Sequence, residues 1–254
     1  MRTSVLEIVE IASRVLWKPK KPIYEFGSRQ VEGGGASDLR SFFKDREYFG
    51  LDVAAGPGVD IVVTPGGTGD NFAGTVLCLE TLEHARFPRL LAEDAYRAMV
   101  YGGWALFTAP FAFQVHSKPD YWRFTKEGLN ALLADAGFDH VFAFCSEPEH
   151  MPVTVGALAW SGEGRVEETE AFKAEIAKWA ARNAHPLTPR KGDWVLLCPH
   201  DAAGWAYIAD PRRVRDAGGI EFSVHWFGTC LECYDKNGFD ISKFSRAGIH
   251  RGNA

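Results

Sequence analysis

Pro22-Ile23-Tyr24-Glu25-Phe26-Gly27-Ser28-Arg29-Gln30 is the stretch on which the reading of this chain turns. A short apolar strand ends in a carboxylate, and a glycine turn then opens toward a helix. Glycine at the carboxyl end of a strand lets the backbone turn sharply and present its N–H groups to a ligand. In an open α/β sheet that edge is where ligands bind. The stretch therefore predicts a nucleoside-bearing ligand at the turn, with further strand–helix units around it.

Upstream, Val5, Ile8, Ala12, Val15 and Leu16 recur near helical spacing, and Ser4 with Glu7 fits a capping box, which predicts a helix over 4–16. Lys18-Pro19-Lys20-Lys21 reads as a solvated linker. Downstream we expect a short helix over about 37–43, a second strand over Tyr48–Asp52 and a third over Asp60–Val63. Thr75-Val76-Leu77-Cys78-Leu79 is a near-continuous apolar run, as in a strand covered on both faces. Pro88 opens a helix running to about Val100, Trp104–Thr108 is a fifth strand, and a helix over Thr125–Ala136 is closed by Gly137. Val141–Phe144 and Val153–Trp160 read as two late strands. The alternation predicts an α/β fold, Rossmann-like and mostly parallel, with helices on both faces.

From Ser161 the texture changes to a charged helix over about Glu167–Arg182, a strand-like Trp194–Leu197, and a remainder rich in aromatics, glycine and cysteine. We expect a ligand-binding domain over 1–160 and a C-terminal cap or interaction region over 161–254, the latter a candidate homo-oligomer contact. Cys230-Leu231-Glu232-Cys233 has the spacing of a metal hook, but zinc needs four converging ligands, and we expect reduced cysteines and no metal.

Composition narrows the partners. A net charge of -5 gives no general reason to bind polyanions, which argues against a nucleic-acid substrate. Five cysteines in a 254-residue chain suggest a reduced, intracellular protein. Glu7 and Glu10 interrupt any apolar leader core, and no run approaches the roughly 20 apolar residues of a membrane span. The expectation is a soluble, cytoplasmic protein.

Three nucleoside ligands compete for the turn. The NAD fingerprint needs a second glycine two positions after the first, where this chain has Arg29. A phosphate-binding loop needs Gly-Lys-Ser or Gly-Lys-Thr, and neither tripeptide occurs. S-adenosylmethionine carries a ribose without a phosphate. It needs a glycine turn near its methionine end and a carboxylate for its ribose hydroxyls, and Asp52 at the tip of the second strand suits the second task.

The residues also carry a resemblance. Glu25-Phe26-Gly27-Ser28-Arg29, Gly50-Leu51-Asp52, Leu77-Cys78-Leu79-Glu80-Thr81-Leu82-Glu83-His84, and His116 followed by Asp120-Tyr121-Trp122-Arg123-Phe124-Thr125 resemble class I S-adenosylmethionine-dependent methyltransferases. They are most similar to a bacterial branch with the Asp-Tyr-Trp-Arg-Phe-Thr segment, over roughly residues 22–145. The resemblance implies a seven-stranded sheet whose final strand is antiparallel. It implies that Glu25, Gly27 and Ser28 surround the methionine moiety, that Asp52 holds the ribose, that Val53 lies against the adenine, and that Leu79 and Glu80 line the site. Two positions depart from the family pattern. Arg29 replaces a second glycine and can instead pair with the cofactor's carboxylate, and Thr64 stands where many members have an aspartate.

Methyl transfer from a sulfonium requires a positioned nucleophile and a home for its proton. His116, after the fifth strand, and His84, after the fourth, are the candidate catalytic residues. Arg123 is expected to pair with a nearby acid, and Asp120 to anchor the loop. No Pro-Pro-aromatic or Pro-Cys motif of nucleic-acid base methylation is present. The expected activity is therefore methyl transfer to a small-molecule or glycan acceptor, at a hydroxyl oxygen. The rival is a methyltransferase-like binding module that recruits a protein partner.

Overall fold

The computed structural model describes residues 2–30, 38–68, 70–149, 151–163 and 165–183, together with six short strands between 194 and 251. The chain divides into two units, Met1–His185 and Pro186–Ala254.

The first unit is a seven-stranded sheet in the order β3-β2-β1-β4-β5-β7-β6. Its strands are β1 (Ile23–Phe26), β2 (Tyr48–Asp52), β3 (Ile61–Val62), β4 (Ala73–Leu79), β5 (Met99–Pro110), β6 (His140–Cys145) and β7 (Thr154–Trp160). The pairs β1–β2, β2–β3, β1–β4 and β4–β5 are parallel, while β7 runs antiparallel to both β5 and β6. Every residue of β4 is buried, as its unbroken apolar run predicts for a central strand. The chain reverses its direction of strand addition between β1 and β4, and in such sheets the ligand crevice opens at that switch point.

One face is covered by α1 (Thr3–Val15) and α4 (Val166–Arg182), the other by α2 (Pro88–Ala98) and α3 (Lys126–Ala136). Val5, Ile8 and Ala12 of α1 pack in one core with Phe172, Ile176 and Trp179 of α4. The indole of Trp179 donates to the Ser4 carbonyl at 2.8 Å, which ties the two helices together. The first unit therefore reaches His185, past residue 160 where the change of texture suggested an end, because three large apolar residues of α4 complete the core of the sheet. Pro88 occupies the first turn of α2, and the Thr125 hydroxyl caps α3 by accepting from the Gly128 N–H at 3.0 Å.

Two local expectations change. The segment before β2 forms a single 3-10 turn over Leu39–Phe42. The Ser4–Glu7 capping box does not form, and α1 begins one residue earlier behind Arg2, without a side-chain cap. Arg2 is drawn elsewhere, as described below.

In the second unit, β8 (Trp194–Leu197), β9 (Trp205–Ile208), β10 (Val224–Phe227) and β13 (Ile249–Arg251) form an antiparallel sheet in the order β10-β9-β8-β13. Strands β11 (Tyr234–Asp235) and β12 (Gly238–Phe239) pair as a short antiparallel ribbon. No helix among the described residues is long and apolar enough to cross a membrane.

Candidate active site

The site lies where β1, β2, β4 and β5 end. At the end of β1, Gly27 has φ +75°, and its N–H donates to the Leu51 carbonyl of β2 at 2.8 Å. A Cβ here would stand 2.3 Å from Thr81 Oγ1, so both conformation and space require glycine. Thr81 was not singled out from the sequence. Its hydroxyl reaches the Leu79 carbonyl at 2.9 Å and the Phe26 carbonyl at 3.3 Å, tying the ends of β4 and β1 together. Only the three-dimensional approach of the two strand ends reveals this role. Ser28 is buried, and its Oγ has no partner among the described residues.

The Asp52 carboxylate ends β2. It accepts from the Arg29 backbone N–H at 3.3 Å and from the Ala54 N–H at 3.1 Å. Each oxygen keeps a lone pair for a further donor. Beside it Val53 is 66% exposed, an apolar surface next to a carboxylate. The Arg29 side chain runs along Gly56, where a Cβ would lie 3.0 Å from its Nε. The loop after β2 thus makes room for the residue that replaces the second glycine. Thr64 lines a cavity of about 300 Å³ with Tyr24, Leu51, Val63 and Thr68, behind the ends of β2 and β3.

Glu25 sits lower on β1 and accepts from the Tyr48 hydroxyl at 2.7 Å. Burial pushes its carboxyl up to about 7 despite that hydrogen bond and the charge of Arg40. Leu79 packs its side chain in the core with α1, leaving only its backbone at the edge. Glu80 has φ +51°, and its N–H donates to the Thr108 carbonyl at 2.9 Å, which turns the chain at the end of β4. Its Oε2 accepts from Arg2 Nε at 2.9 Å and from the Arg2 terminal nitrogen at 2.6 Å. Arg2 also donates to the Val153 carbonyl at 3.2 Å and lies 5.1 Å from the centre of the Phe113 ring. Nothing in the local sequence around Arg2 signals this bridge, because its partners are 78 and 151 positions away.

His84 and His116, predicted from different segments, meet with ring centres 5.0 Å apart. Between them lies Glu83, whose side chain is 0% exposed. Its Oε1 is 3.7 Å from His84 Nε2 and 3.9 Å from His116 Nε2. Neither Glu83 oxygen has a hydrogen-bond partner among the described residues. Burial, and then the nearby Glu80, push its carboxyl up to about 8. His84 Nδ1 is 2.6 Å from the Pro119 carbonyl, and His116 Nδ1 is 3.2 Å from Asp120 Oδ2. Asp120 receives both Arg123 nitrogens at 2.5 and 2.9 Å, and the His116 N–H at 3.0 Å. The Arg123 fork, against the opposing effect of burial and with help from the His116 N–H, holds the Asp120 carboxyl well below the usual range. The expected pairing of Arg123 and the anchoring role of Asp120 are thus both present. Cys230 and Cys233 lie outside the described residues.

No protein-family model matches the chain, and no curated protein matches it. Among solved structures the chain is similar to the Burkholderia thailandensis 1,6-didemethyltoxoflavin-N1-methyltransferase, solved with bound 1,6-didemethyltoxoflavin and S-adenosylhomocysteine. That match has a TM-score of 0.50 and 14% identity over 63% of this chain and 79% of the other. A SAM-dependent methyltransferase from Aquifex aeolicus matches with a TM-score of 0.45 and 14% identity, over 62% of this chain and 93% of the other. The first unit has the Rossmann-like fold of the S-adenosylmethionine-dependent methyltransferases.

Proposed function

We propose that this chain is an S-adenosylmethionine-dependent methyltransferase acting on a hydroxyl oxygen of a small-molecule or saccharide acceptor. The observation that carries the reading is the switch-point edge itself. There a glycine turn of positive φ and the Asp52 carboxylate lie along one sheet edge with a cluster of proton-accepting groups. The unpartnered Ser28 Oγ, the spare lone pairs of Asp52 and the exposed Val53 fit a ligand with a polar tail, a ribose and a flat base. On this reading Gly27 and Ser28 hold the methionine end, with Glu25, Arg29 and Glu80 around it, Asp52 holds the ribose hydroxyls, and Val53 supports the adenine. When bound, the cofactor supplies an electrophilic methyl group on its sulfonium.

The chain's own part in the reaction is positioning and proton removal. His116 is the candidate base. Asp120 Oδ2 lies 3.2 Å from its Nδ1, and the Asp120 carboxylate holds the His116 backbone N–H at 3.0 Å, which positions the residue at the sheet edge. His84, fixed on the Pro119 carbonyl, orients the acceptor hydroxyl. Arg2 and Arg123 neutralise Glu80 and Asp120, so the cluster can accept a proton without gathering several unpaired acids.

Titration calorimetry with S-adenosylmethionine and S-adenosylhomocysteine tests the reading. Binding of both is expected, and binding of neither removes the enzyme in favour of a methyltransferase-like binding module. Oxygen transfer is then tested by supplying hydroxyl- and amine-bearing acceptors and locating the label from a methyl-tritiated cofactor.

A further inference from the structure

We propose that Glu83, His84 and His116 bind a divalent transition-metal ion of the zinc type, a site where the sequence reading expected no metal. One ligand atom from each residue lies within 4.8 Å of the other two. Metal–ligand distances of about 2.0–2.2 Å put the ligands of a tetrahedral ion about 3.4 Å apart. The Glu83 Oε1 separations of 3.7 and 3.9 Å from the two Nε2 atoms need to close by only a fraction of an ångström.

His84 is already held as a metal ligand is held. The Pro119 carbonyl can only accept, so the 2.6 Å contact puts the proton of His84 on Nδ1 and leaves the Nε2 lone pair facing Glu83. Asp120 Oδ2 lies 3.2 Å behind His116 Nδ1, within ion-pair reach, and needs only a small turn of the ring to accept its proton. A carbonyl or carboxylate behind each imidazole is the usual support for a metal-bound histidine.

Charge balance points the same way. Of the three carboxylates in the cluster, Glu80 is paired with Arg2 and Asp120 with Arg123. Glu83 is wholly buried with both oxygens unpartnered among the described residues, and its Oε1 faces the Nε2 atoms of both imidazoles. A buried carboxylate in that setting lacks a cation or a proton. Two nitrogens and one oxygen suit zinc or a similar first-row ion, with the remaining positions left for outside ligands. Both histidines are about a quarter exposed, so an ion has a way in.

The site rests on these side chains alone and holds whether or not the chain transfers methyl groups. Where it does, an acceptor hydroxyl on an open position would lose its proton to solvent more readily, and the imidazoles would act as ligands in place of a base.

The test is zinc titration of the chelator-stripped full chain carrying Cys198→Ser, Cys230→Ser and Cys233→Ser, which removes the tail's thiolates from competition. We expect uptake of a single equivalent in the micromolar range or tighter. Glu83→Gln and, independently, the surface-accessible His116→Gln should each weaken it at least about tenfold. S-adenosylhomocysteine affinity should stay unchanged in both variants, and a cobalt-substituted sample should show d–d bands without a thiolate charge-transfer band. No uptake overturns the proposal, as does uptake that both variants leave intact. Loss of S-adenosylhomocysteine binding in every sample would overturn the cofactor reading and leave the zinc result standing.

Discussion

The two halves of the sheet's carboxyl edge are built in opposite ways. At β1 and β2 the candidate groups are a glycine turn and one carboxylate that accepts from the backbone N–H groups of Arg29 and Ala54, within a few residues of a strand tip. At β4 and β5 the groups are partly to wholly buried side chains from positions 2, 80, 83, 84, 116, 120 and 123, held by ion pairs and by the carbonyls of Pro119 and Val153. The first end is preorganised by backbone conformation, which a single added Cβ can destroy. The second is preorganised by charge, which tolerates changes of shape better than changes of charge state.

The comparison can be broken most forcefully at Gly27. Gly27→Ala adds a Cβ against Thr81 at a φ of +75°, and should cost about 1–3 kcal/mol of stability in urea denaturation with loss of S-adenosylhomocysteine binding. Normal affinity in a folded Gly27→Ala would mean that the turn is not the ligand cradle. Asp52→Ala comes next. Hydrogen bonds to a charged group contribute about 1.5–3 kcal/mol, so calorimetry should show cofactor affinity falling roughly ten- to hundredfold. If affinity is unchanged, the ribose assignment fails.

At the other end, His116→Ala should lower turnover at least about tenfold while S-adenosylhomocysteine binds as before. An unchanged rate would leave His116 with a structural role only, and a parallel fall in cofactor affinity would show that the two ends are not independent.

The smallest effect is a pH dependence at Glu25, which faces Tyr48 with Arg40, Asp38 and Asp60 nearby. Its carboxyl rises from 4.5 to about 7 on folding, so the folded chain holds that proton more tightly than the unfolded one. The resulting stability is fully present below pH 4.5 and is lost as pH rises through about 7. Glu25→Gln should flatten this decline by on the order of 1 kcal/mol when denaturation at pH 5 and pH 8 is compared with the unaltered protein. Equal slopes for both proteins would remove Glu25 as the source.

Where elements were legible, the cause was local. The apolar run of β4 needs both faces covered whatever its neighbours are, and Pro88 and Thr125 satisfy helix starts with their own atoms. The Ser4–Glu7 capping box had the right residues but did not form. Arg2, at the position before the helix, is held by Glu80 and the Val153 carbonyl instead. The late strands of the second unit were harder to read. Trp205–Ile208 and Val224–Phe227 have strand composition, but four residues are too few for a period to show.

The sequence by itself determined the strand–turn–helix alternation, the glycine turn after β1, the acid at the tip of β2, and the histidines that follow the fourth and fifth strands. These follow from short-range sterics, backbone hydrogen bonding and the burial of apolar runs, all of which are written into neighbouring residues. Only the tertiary structure decided that Thr81 closes on Gly27, that Arg2 reaches Glu80, and that Glu83 lies unpartnered between His84 and His116. Those outcomes depend on which strand ends become neighbours, and on which buried charges find counter-charges once water has been excluded.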